Sequence, residues 1–254
     1  MKLLRNILPW LLLALAAACC FWLAARPGYV PALEIVGDVS ESFSARQLAD
    51  LGAAQKVNVY GERCRAVSLD ELARTVGAVS PERVILQAGD GFSAALSGDS
   101  MAACWLTFSA AKGWHALSDA HPISINGEEL RRIVFVGGDN GRGLTVDDGS
   151  TVRSYTVGGL YAGVTVCYPY QEGAAEKEYE GEVYTSAVAT YRDCIPLAEL
   201  GLEGQALRLT NARGEAMLAA ADQGLFQLKG SSISYIEETS RLCWDEVVGI
   251  AYAQ

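Results

Sequence analysis

The run Ser68-Leu69-Asp70-Glu71-Leu72, followed by Arg83-Val84-Ile85-Leu86-Gln87 and the turn Asp90-Gly91, returns in altered form later in the chain. Its second appearance reads Pro196-Leu197-Ala198-Glu199-Leu200, then Leu207-Arg208-Leu209-Thr210 and Arg213-Gly214. Upstream, Ser42-Phe43-Ser44 with Leu48 and Cys64 is answered by Ser154-Tyr155-Thr156 with Leu160 and Cys194. The offsets are 112 for Ser42 and Ser154, 128 for Leu69 and Leu197, and 123 for Gly91 and Gly214. A fixed order of elements with a loop-sized drift is what an internal duplication leaves. The reading therefore predicts two similar halves, residues 32–137 and 144–254, joined by the glycine-rich segment from Gly137 to Gly143.

Each half reads as mixed structure. Short helices are signalled by Ser44 to Leu51, with Leu48 and Leu51 three apart, and by Ser68 as an N-cap with Glu71 three residues on. A further helix-like run spans Cys104 to Ala111. Strands are signalled at 32–36, 57–60, 84–87, 132–136, 164–168, 207–210 and 233–236 by β-branched and aromatic enrichment. The 137–143 segment lacks the Gly-Lys-Ser/Thr ending of a phosphate loop, and no clear helix follows it. From Gln171 to Glu182 runs an acidic stretch that reads as a solvated insertion or strand rim rather than a calcium loop.

Ahead of the halves, Lys2 and Arg5 precede an uncharged apolar run from Ile7 to Ala25, 19 residues. At ~1.5 Å rise per residue this matches one crossing of a ~30 Å hydrocarbon core. Residues 1–6 are then a cytoplasmic N-terminus, 7–25 a transmembrane signal anchor, and the rest lies outside the cytoplasm, on a single-pass cell-membrane protein. A cleaved signal, or lipidation at Cys19 after Ala16-Ala17-Ala18, are the alternatives. The chain carries 20 basic and 30 acidic side chains, and without Lys2 and Arg5 the balance is −12. Such an acidic surface excludes nucleic acid as an expected partner. The membrane, met through the N-terminal helix, and an unidentified protein or small molecule remain.

Seven cysteines and two histidines carry no CxxC or HExxH spacing. Beyond the apolar run stand Cys64, Cys104, Cys167, Cys194 and Cys243, an odd number whose pairing the spacing leaves open. Cys104 sits inside an apolar run and reads equally as a small core residue. His121-Pro122 reads as a turn, with both imidazoles exposed.

The stretch Leu33 to Val39 with its Gly-Asp-Val, the helix Phe43 to Leu51 and the run Val67 to Leu72 are followed by Val84 to Phe92. Cys104-Trp105-Leu106 and the strand Leu130 to Val136 come next. In this order they resemble the molybdopterin-binding domain of the sulfite oxidase family over about residues 32–137, and the second half looks like a more divergent copy. The resemblance implies an α+β fold class, here an N-terminal transmembrane helix followed by two mixed, strand-rich sulfite-oxidase-like halves. It also implies a metal-ligating cysteine near the strand Lys56 to Tyr60, where Val59 stands instead and Cys64 is the nearest thiol. His115, His121 and Arg132 would lie near the pterin.

Three functions follow as expectations. The first is a membrane-anchored extracytoplasmic binding or structural module that has lost the metal cysteine and needs no cofactor. The second is an active molybdopterin-dependent oxidoreductase with Cys64 as ligand, and the third a cell-surface protein-interaction domain.

Overall fold

The computed structural model describes residues 32–253 except 42, 55, 60–61, 110, 139–141, 164–169, 180–181, 192, 203, 221–223 and 238–242. The first half contains β1 (Glu34–Gly37), α1 (Ala45–Ala54), the hairpin β2 (Lys56–Val59) and β3 (Glu62–Arg65), β4 (Val67–Ser68) and α2 (Leu69–Thr75). It continues with β5 (Arg83–Ala88), β6 (Ser93–Ser97), β7 (Trp105–Ser109), β8 (Gly113–Leu117) and β9 (Leu130–Val136), with 3-10 turns at Gly98–Ala103 and Ile123–Ile125. The second half contains β10 (Leu144–Asp147), β11 (Val152–Tyr155), α3 (Val157–Gly163), the hairpin β12 (Tyr170–Tyr179) and β13 (Glu182–Tyr191), and β14 (Cys194–Pro196). A 3-10 turn at Leu197–Leu200 leads to β15 (Ala206–Asn211), β16 (Ala216–Ala220), β17 (Gly224–Lys229), β18 (Ser232–Glu237), β19 (Cys243–Trp244) and β20 (Val247–Tyr252).

Local chemistry accounts for the short helices. Ser68 accepts the N–H of Glu71 at 3.1 Å, and Asp70 and Glu71 occupy the first turn of α2, where the helix dipole favours negative charge. Ser44 and Gln47 exchange hydrogen bonds at the start of α1, and Thr156 Oγ1 accepts the N–H of Gly159 at the start of α3. Leu48 and Leu160, one turn further on, are fully buried.

The two halves share one wiring. In the first, β1 runs parallel to the last strand β9, β9 pairs antiparallel with β5, and β5 with β6. In the second, β10 runs parallel to the last strand β20, β20 pairs antiparallel with β15, and β15 with β16. A second sheet, β4-β7-β8, has its counterpart in β14-β17-β18-β19. The register break of the first large sheet falls between Gln87 and Ala88, and that of the second between Thr210 and Asn211, 123 residues on.

The halves differ in what covers their large sheets. On β9, Ile133, Val134, Phe135 and Val136 are all buried, so both faces of that sheet are covered. Val36, Val134 and Val136 pack into a core with Leu160, Tyr161, Phe226 and Tyr235 of the second half. Each such side chain contributes roughly 1.5–3 kcal/mol. Residues 32–254 therefore form one compact unit.

The fold differs from the expected class. The described residues are strand-rich, not an α+β body led by a membrane helix, and among them no helix is long and apolar enough to cross a membrane. The apolar run 7–25 lies outside the described residues, as does the strand expected at 164–168. The helix-like run at Cys104 to Ala111 is instead β7, paired with β4 and β8. Its β-branched and aromatic residues Trp105, Thr107 and Phe108 suit a pleated surface better than a helix.

Candidate functional site at the seam of the two halves

Arg132 lies on the face of β9 that meets the second half. Its guanidinium donates from Nη1 and Nη2 to the two oxygens of Asp193 at 2.8 and 2.7 Å, and from Nε and Nη2 to Glu34 Oε2 at 2.9 and 2.8 Å. Glu34 is the parallel cross-strand neighbour of Arg132 on β1, whereas Asp193 precedes β14 with φ 57, a left-handed backbone that presents its carboxylate to β9. The guanidinium also stands 5.4 Å from the centroid of the Tyr161 ring on α3, within cation–π range. Burial works against the charge on Arg132, but hydrogen bonds to Asp193 and then Glu34 outweigh it and hold its pKa above the ordinary arginine value. Burial, reinforced by the Asp193 charge, raises that of the Tyr161 hydroxyl.

A second polar group fastens the same seam. Asp38, at the end of β1 and 1 % exposed, accepts the N–H of Gly137 at 2.8 Å through Oδ2 and the N–H of Gly158 at 2.9 Å through Oδ1. Gly158 opens α3, where backbone donors lack intrahelical partners and a carboxylate is favoured. No side chain fits there: a Cβ on Gly158 would meet Phe135 O at 2.2 Å and Asp38 Oδ2 at 2.6 Å.

The other sequence-nominated residues sit on different pieces of structure. Cys64 is half-buried on β3, opposite Val57 of β2. His115 on β8 is buried, not exposed, because it stands opposite Thr107 of β7, and its Nδ1 lies 3.0 Å from Gly113 O. The Thr107 hydroxyl donates to Arg65 O at 2.6 Å, which brings the end of β3 next to the His115 strand pair. His121 is half-buried in the turn after β8, with Nε2 3.1 Å from Ser100 O. Arg132 alone of the four belongs to the seam.

The Arg132 guanidinium is held by two carboxylates, and one nitrogen of each imidazole lies against a backbone carbonyl. Among the described residues, no three His, Cys, Asp or Glu side chains gather as a metal would require. The sequence singles out Arg132 only as a residue near a pterin, not as part of this seam, and it does not single out Asp38, Asp193 or Tyr161. The Gly37-Asp38 pair at a strand end was the one signal that pointed to a carboxylate placed by a turn.

No protein-family model matches the chain, and neither the curated proteins nor the solved structures contain a match to it.

Proposed function

We propose that the protein is a noncatalytic binding or structural module that works outside the cytoplasm. The carrying observation is Arg132: it donates two hydrogen bonds to Asp193 of the second half, and Asp38 accepts a third from Gly158 of the second half, so the charged groups of the site join one half of the fold to the other. A largely buried ion pair and a buried carboxylate placed in this way favour a single packing of the two halves, which supports a structural role. The basic residues Lys2 and Arg5 ahead of an apolar run support export, and the acidic remainder supports a partner other than a polyanion.

The deciding experiment expresses the full chain in a host that makes molybdenum cofactor and measures metal by elemental analysis beside released-pterin fluorescence. A folded protein carrying neither is the expected result. Near-stoichiometric metal and pterin, lost in Cys64→Ser, would overturn the reading in favour of a molybdopterin oxidoreductase.

A further inference from the structure

Across the large sheet of the first half runs the row Val36, Val134, Ile85, Ala95, one residue each from β1, β9, β5 and β6. The matching row of the second half is Asp147, Ala251, Arg208, Leu218. The first row lies against the second half, with Val36 5 % and Val134 0 % exposed. Nothing in the chain plays that part for the second row among the described residues, and that row carries Asp147 and Arg208. Repeat proteins end their stack on such a polar face. The last position goes the other way: alanine 95 of the first row becomes Leu218, which is 71 % exposed.

Leu218 sits at the centre of β16, and β16 is the edge of its sheet. Its counterpart β6 is flanked by the 3-10 turns Gly98–Ala103 and Ile123–Ile125. β16 reads Ala216-Met217-Leu218-Ala219-Ala220, with no charge and no proline, and its register with β15 is unbroken by a bulge. Those are the devices by which natural edges avoid pairing with other strands.

We propose that β16 is a self-association surface, pairing antiparallel with β16 of a second copy about a two-fold axis at Leu218. That register sets Leu218 against its own copy, Ala216 against Ala220 and Met217 against Ala219, so the strand is complementary to itself, as a closed two-fold interface requires. Small side chains flank the leucine pair, and no charge opposes its like. Arg208 on β15 and its copy stand three strand spacings apart, about 14 Å, beyond a Debye length of about 8 Å. Each Leu218 covers the other, and the two large sheets continue as one. A five-residue pairing is small beside the roughly 1,600 Å² of a standard stable complex, so the dimer forms in a concentration-dependent way. This surface is separate from the seam, and the inference stands or falls independently of cofactor content.

The test is sedimentation of the full chain, kept in solution by a mild detergent, over a concentration series reaching the high micromolar range. The polypeptide mass is expected to climb from 27.1 kDa toward twice that value. Leu218→Lys and Leu218→Glu should each stay monomeric with unchanged circular dichroism and thermal midpoint. An equimolar mixture of the two should recover the dimer, because opposite charges then face each other across the strands. A wild-type protein that remains monomeric throughout, a Leu218→Lys variant that associates like wild type, or growth past the dimer would each overturn the proposal.

Discussion

Asp38 and Gly158, 120 residues apart in the chain, are joined by a 2.9 Å hydrogen bond from the glycine N–H to a carboxylate that is 1 % exposed. The other carboxylate oxygen holds Gly137, so one side chain ties the exit of β9 and the start of α3 to the end of β1. Asp38→Ala strands two buried donors and is expected to cost about 2–6 kcal/mol, at ~1–3 kcal/mol for each unsatisfied group. Gly158→Ala forces the backbone of β9 away from α3 and should cost about 1–3 kcal/mol, as overpacking does. Chemical denaturation midpoints check both, and a change below ~0.5 kcal/mol in either would show that the seam is not held here.

The Arg132–Asp193 pair makes a different prediction, because removal of one partner takes a counter-ion from a charge that is largely buried. Arg132→Met and Asp193→Leu should each destabilise by roughly 3–5 kcal/mol, while the double variant loses much less than the sum of the two. A double-mutant cycle measures this directly. Additive losses would mean that the ion pair contributes no coupling.

Much of the local structure was legible in the sequence, and the difference lies in what decides it. Ser68 with Glu71, and Asp90-Gly91, act through bonds two or three residues away, and the structure shows the Glu71 N–H on Ser68 and the Phe92 N–H on Asp90. The run Cys104 to Ala111 reads as a helix but forms β7, because apolar residues in a short run suit a helix or a strand equally, and the cross-strand partners Val67 and Trp114 decide it from a distance. The seam was legible only in part. Arg132 stands out as a cation in a strand, but its partners Glu34 and Asp193 lie 98 and 61 residues away, and no local pattern connects them.

The buried thiols predict both reactivity and a pH dependence. Burial pushes Cys104 up to about 12, and burial followed by the Asp193 charge pushes Cys194 up to about 11. Only the thiolate reacts, so alkylation of the native protein near pH 8 should spare both, with the exposed Cys243 modified first among the described cysteines. Once the chain unfolds, the thiols ionise near the ordinary value of about 8.5, so above that pH the unfolded state binds fewer protons than the native one. Stability is then complete below about pH 8.5 and falls as pH rises toward the native values. Mass mapping of alkylated peptides and denaturation at pH 7.5 and 10 test the two halves of this argument; rapid native labelling of Cys104 would refute the burial it rests on.

Val134 and Ala251 occupy matching places on the two large sheets, each opposite its counterpart strand in the same row, yet one is covered by the second half and the other faces outward between Asp147 and Arg208. The same substitution should therefore have opposite consequences. Val134→Asp places a charge with no partner in the shared core and is expected to abolish folding, since the cost of burying it exceeds the ~5–15 kcal/mol that holds a domain together unless the carboxyl stays protonated. Ala251→Asp adds a carboxylate beside Arg208 at a partly exposed position and should change stability by no more than about 1 kcal/mol. Soluble yield and thermal midpoints of the two variants, compared side by side, separate a covered face from a terminal one. Equal damage at both positions would mean that the outer face of the second half is covered as well, and that the stack does not end where Asp147 and Arg208 replace the valine and isoleucine of the first half.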